Sequence, residues 1–215
     1  MKDSLTQITV VLDRSGSMAD IRQATIDSFN EFTEGQKKVP GEANFTLIQF
    51  DTQNPWEVLC DSRPIAGAPK LSLETYQPRG GTPLHDAIGL TIDDLGKTLS
   101  RMNEADRPVK VVIVILTDGL ENASSKYTGA RIAEMIKHQT EVYKWQFVFL
   151  GANQDAILTG EKLNIPMSNS ITFAASATGT ANAVSSTSRN LANYRTGATR
   201  SLAYSKQDRE DAVEN

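Results

Sequence analysis

Asp13, Ser15 and Ser17 put three oxygen-bearing side chains at alternate positions of one short stretch, Asp13-Arg14-Ser15-Gly16-Ser17. Carboxylate and hydroxyl oxygens with no thiol or imidazole beside them suit a hard divalent cation, magnesium first and manganese or calcium as alternatives, rather than zinc or copper. A shell of about six ligands is more than one loop can supply, so other segments must contribute. Two candidates lie downstream. Thr82 follows the flexible pair Gly80-Gly81 and precedes Pro83, and Asp118 follows the most apolar stretch of the chain, 109–116.

The segments around these residues carry the periodicities needed to place them. Ile8-Thr9-Val10-Val11-Leu12 is short and rich in β-branched residues, which reads as a buried strand. Met18, Ile21, Thr25, Phe29 and Phe32 then recur at helical spacing. Gly16 lets the chain reverse between the two. The first loop therefore sits at the carboxyl end of a strand and beside a helix start, where open α/β sheets hold their ligands. The 109–116 run is expected as a central parallel strand covered on both faces, and Ala87, Ile88, Thr91, Ile92, Leu95, Leu99 and Met102 mark a helix after Thr82, ending near Asn103.

Asp13, Ser15, Ser17, Thr82 and Asp118, in that order, resemble the metal-ion-dependent adhesion site of the von Willebrand factor type A family, whose signature is Asp-x-Ser-x-Ser followed by a distant Thr and a distant Asp. The resemblance spans roughly residues 6–195, and Gly81-Thr82-Pro83-Leu84 and Leu116-Thr117-Asp118-Gly119 are similar to small stand-alone bacterial and phage members. It implies a cation held by those five residues and a partner protein whose Asp or Glu carboxylate completes the shell. The same residues also read as helix caps and turns: Asp13 to Ser17 as a turn with an N-cap, Thr82-Pro83 as a cap and first helical position, Asp118-Gly119 as a turn. Capping and cation binding are compatible, since both place oxygens at helix starts.

Further along, 44–50 and 56–60 read as strands joined by the turn-prone Thr52-Gln53-Asn54-Pro55, an antiparallel pair. Gly35 marks the expected end of the first helix, ahead of Lys37-Lys38, and 62–79, with its prolines, reads as a surface loop. A helix over 128–143 is expected to turn Ala130, Ala133, Ile136 and Thr140 inward, followed by a strand at 146–150, a helix at 155–163, an edge strand at 171–173 and a last helix at 181–194. Alternation of this kind predicts an α/β, doubly wound, Rossmann-like sandwich. It has a mostly parallel sheet of about six strands, one antiparallel edge strand and helices on both faces. Residues 1–200 form the expected domain and 201–215 a polar tail or frayed helix.

With 215 residues and a formal net charge of -4, the chain has one core's worth of length and no overall positive field for nucleic acid or an anionic membrane. Cys60 is the single cysteine, and Met1-Lys2-Asp3-Ser4 has no signal-like apolar stretch, so the chain reads as cytoplasmic. The sequence leaves its oligomeric state open. Gly96-Lys97-Thr98 imitates the end of a phosphate loop inside a helical pattern and is discounted. His85, His138 and Arg79 read as surface residues, Met18 and Met135 as core. The expected function is a cation-dependent protein-binding module and not an enzyme. The alternatives are a magnesium-dependent phosphatase-like hydrolase using Asp13, which lacks a second acid two residues on, and a metal-free scaffold.

Overall fold

The computed structural model describes residues 2–152 and 155–214, with side chains from residue 5 onward; Met1 and Asn215 of the terminal stretches read above lie outside the described residues. Strands β1 (Lys2–Asp13), β2 (Ala43–Phe50), β3 (Glu57–Pro64), β4 (Pro108–Thr117), β5 (Gln146–Ala152) and β6 (Ser170–Phe173) form one sheet. Their order is β3-β2-β1-β4-β5-β6. Neighbours are parallel except β2 and β3, so one edge strand runs against the rest.

The sequence of β4 explains the layering. Val112, Val114 and Leu116 enter one hydrophobic cluster while Val111, Ile113 and Ile115 enter another, as period-two alternation requires of a strand covered on both faces. Among the described residues six α-helices cover the sheet: α1 (Arg22–Lys37), α2 (Leu84–Arg101), α3 (Gly129–Tyr143), α4 (Ala156–Lys162), α5 (Ala177–Thr196) and α6 (Lys206–Ala212). Phe29 and Phe32 of α1, Val184 and Leu191 of α5 and Ala212 of α6 join the first cluster. Ile88 and Ile92 of α2, Ile132 and Ile136 of α3 and Ala156 of α4 join the second. No helix among the described residues is long and apolar enough to cross a membrane.

Beside β1 the strand order reverses, because β2 lies on one side of it and β4 on the other. The carboxyl ends of β1 and β4 therefore open the crevice that such sheets offer to ligands. Asp13 ends β1 and Thr117 ends β4.

Local expectations fail where burial is carried by isolated side chains. Helix α1 runs past Gly35 to Lys37; a β-carbon on Gly35 would stand 3.3 Å from the Ser188 hydroxyl, so this glycine marks the close approach of α1 to α5 rather than a stop. The 62–79 segment is mostly exposed or half-buried, as a surface loop would be, but Ile65, Ala68, Leu71 and Tyr76 anchor it in the first cluster. Ile132, Met135 and Ile136 form the inner stripe of α3 while Ala130 is exposed, which moves the expected stripe round the helix. After α5 the chain carries α6, started by a Ser205/Asp208 capping box, and Leu202, Tyr204 and Ala212 are buried. That arrangement occupies the segment expected as a polar tail or frayed helix.

Candidate metal centre

The loop after β1, a loop before α2 and the loop after β4 meet at the crevice. Asp13 and Ser15 are fully buried. The Ser15 amide donates to Asp13 Oδ1 at 2.6 Å, the Ser15 and Ser17 hydroxyls lie 3.2 Å apart, and Ser17 Oγ donates to Asp118 Oδ1 at 2.7 Å. Thr82 is buried, and a β-carbon on Gly119 would lie 3.0 Å from Thr82 Oγ1 and 3.5 Å from Ser17 Oγ. The structure thus brings all five candidate residues into one contiguous cluster. Gly16 N–H donates to the Gly80 carbonyl at 3.0 Å, which ties the first two loops together.

Two of these hydroxyls are free of the capping duty that the sequence also allowed them. Ser15 precedes a short 3-10 turn, Gly16–Ala19, and makes no side-chain cap hydrogen bond. Helix α2 has Pro83, not Thr82, at its N-cap, again without a side-chain cap bond.

Several supporting residues escaped the sequence pattern. Thr117 Oγ1 donates to Asp13 Oδ2 at 2.5 Å, and the Tyr76 hydroxyl donates to the Asp13 carbonyl at 2.6 Å. Arg14, the variable residue inside the Asp-x-Ser-x-Ser stretch, is buried; its Nε donates to Asp51 Oδ2 at 2.8 Å and its Nη1 reaches Gln49 and Glu57. Arg79 Nε also donates to Asp51 Oδ2, at 3.0 Å, so one carboxylate ties the first loop to the approach to Thr82. Asn122 and Glu121 brace the third loop: Asn122 Oδ1 accepts from the Thr82 amide and Glu121 from the His85 amide, each at 2.8 Å. The His85 ring lies beside Glu121 and Gly129, and the exposed His138 packs edge-on against Tyr143. Met18 and Met135 are buried, and Gly96-Lys97-Thr98 lies within α2.

No cationic side chain is among the strongest influences on Asp13 or Asp118. Burial pushes the Asp13 carboxyl up to about 7; hydrogen bonds from Thr117 and Ser15 pull against that, and Asp118 adds to it. Asp118 is raised as well, chiefly by burial. A buried carboxylate beside a half-buried one, with no counter-charge among their strongest influences, fits a bound cation, which would restore the charged form. Among the described residues no group of three or more His, Cys, Asp or Glu side chains is arranged to hold a metal ion. A cation here therefore depends on two carboxylates supplemented by hydroxyls, a set suited to a hard ion.

No protein-family model matches the chain, and no curated protein matches it. Solved structures do. A von Willebrand factor type A structure from Catenulispora acidiphila is similar over 90% of this chain and 43% of its own, with TM-score 0.60 and 15% identity. Proximal thread matrix protein 1 from the mussel byssus is similar over 88% and 46%, with TM-score 0.62 and 14% identity, and one of its structures is described as having a zinc-occupied MIDAS motif. The pilus adhesin SpaC from Lactobacillus rhamnosus GG, in an open conformation, is similar over 90% and 30%, with TM-score 0.61 and 12% identity. The chain spans less than half the length of each. At these identities the likeness is one of fold: the chain folds as von Willebrand factor type A structures do.

Proposed function

We propose that the chain is a divalent-cation-dependent protein-binding module, not an enzyme, in which Asp13, Ser15, Ser17, Thr82 and Asp118 hold the ion. An Asp or Glu of a partner protein completes the shell. The observation that carries this reading is the meeting of these five side chains, from three loops, at the strand-order reversal, with Ser15 and Thr82 free of capping bonds. When bound, the cation supplies a localised positive charge that attracts a carboxylate. Neutral hydroxyls from Ser15, Ser17 and Thr82 leave that charge less screened than further carboxylates would. The ion is magnesium in this reading, with manganese and calcium as alternatives; the zinc-occupied MIDAS motif described for the mussel protein supports a divalent ion in such a fold. Cys60, free and buried, suits a reducing cytoplasm.

The hydrolase alternative has less behind it. A phosphatase with Asp13 as nucleophile needs a second acid two residues on, and the chain carries Ser15 there. Calorimetric titration of the purified chain with magnesium or manganese tests the proposal. Saturable binding lost in Asp13→Ala and weakened in Ser15→Ala is expected; binding indifferent to both would remove it. For the partner, capture from the native host in magnesium should fail in chelator and in Asp118→Ala, and capture that survives both would leave a metal-free scaffold.

A further inference from the structure

Thr82 is the candidate ligand with the least regular support. It lies on irregular backbone just after Gly80, whose φ of +66° belongs to the left-handed region that glycine occupies readily. A hydroxyl on such a loop keeps its direction when the backbone carrying it is tied down. Both backbone polar groups of Thr82 are tied by one residue of another loop. Asn122 Oδ1 accepts from the Thr82 amide at 2.8 Å, and the Asn122 amide donates to the Thr82 carbonyl at 3.2 Å. In effect a side-chain amide completes a two-bond ladder of the kind that pairs strands. The loops also touch, since a β-carbon on Gly81 would stand 2.8 Å from Asn122 Oδ1.

Asn122 is itself held. Glu121 accepts from the amides of Ala123 and Ser124 and from the His85 amide in the first turn of α2. Asp86, one residue further along α2, accepts from the amides of Ser125, Lys126 and Tyr127. Reciprocal bonds of this kind make the third loop and the start of α2 one body, with Asn122 where that body meets Thr82.

We propose that Asn122 is the positioning residue for Thr82, and that it sets the affinity of the site for a divalent cation without being a ligand. This rests on the reading of the cluster as a cation site. Groups that orient a metal's ligands are worth about 10–100-fold in affinity, so Asn122→Ala should bind magnesium at least about tenfold more weakly. Asn122→Asp keeps an acceptor for the Thr82 amide and should retain binding. The direct readout is hydrogen exchange at the Thr82 amide in chelator: protected in the unaltered chain and in Asn122→Asp, fast in Asn122→Ala. Should Asn122→Ala fail to fold, Asn122→Gln replaces it, because one added methylene displaces the same acceptor and should weaken binding and loosen the amide. Equal magnesium affinity in the unaltered chain and Asn122→Ala overturns the inference alone. Equal weakening in Asn122→Ala and Asn122→Asp overturns it too. No magnesium binding by the unaltered chain removes the cation reading and this inference together.

Discussion

Single residues do separable jobs around the cluster. Thr117 aims the Asp13 carboxylate from the neighbouring strand through its 2.5 Å hydrogen bond. Thr117→Val keeps the branched shape and removes that donor, so cation affinity should fall about 10–100-fold in a magnesium titration; unchanged affinity would show that β1 alone fixes Asp13. Asp51 does a different job, since its carboxylate is fully buried between Arg14 and Arg79. Removing one partner of a buried pair costs up to about 3–5 kcal/mol, and of its ion pairs Arg14 would keep the one with the partly exposed Glu57. Asp51→Ala should lose that much in urea unfolding, whereas Glu57→Ala, whose carboxylate is partly exposed, should lose far less. A small loss for Asp51→Ala would mean that the loops are held by their backbone bonds instead.

Among the elements, α6 depends most visibly on one ionised group. Burial pushes the Asp208 carboxyl up, but the Ser205 amide and hydroxyl, the Ser186 hydroxyl and Arg189 outweigh it and hold the group below its ordinary value. A carboxylate depressed in the folded state contributes stability above its unfolded value, near pH 3.9, and that contribution is lost as pH falls through the folded one. Asp208→Asn should therefore be less stable at neutral pH and show a shallower loss below about pH 4, read from melts across that range; parallel acid limbs would contradict the assignment. None of this was legible in 201–215, whose charges read as a polar tail while Leu202 and Tyr204 did the burying. The same limit hid Tyr76 in a proline-rich stretch. Unbroken periodicity, by contrast, made β4 and α2 readable to within about two residues. Asp13, Ser15 and Ser17 were readable because they stand at alternate positions of one loop, and Thr82 and Asp118 because they follow in the order of the signature that the chain resembles. Asn122 and Asp51 were not, because each acts on a partner 40 or 37 residues away, and no local spacing encodes that contact.

At the scale of the whole molecule, the cluster joins the two layers. The loop after β1 leads into α1 on one face of the sheet, and the loop carrying Thr82 leads into α2 on the other. Asp118 follows β4, which pairs with β1 along most of its length. A ligand held by all three loops therefore links both faces through the two central strands, and its stabilisation should be felt by the domain as a unit. Magnesium at ten times its dissociation constant adds about 1.4 kcal/mol, which in a domain of this size raises the melting temperature by about 3–6 °C. The expected melt is a single transition that moves as a whole in magnesium, with amides of β1 and β4 gaining protection alongside those of the loops, and no movement in Asp13→Ala. Protection confined to the loops, with the transition unmoved, would show that the ion orders the crevice without coupling the layers. The partner would then be recognised by a local change at the rim, and not by a domain whose two faces respond together.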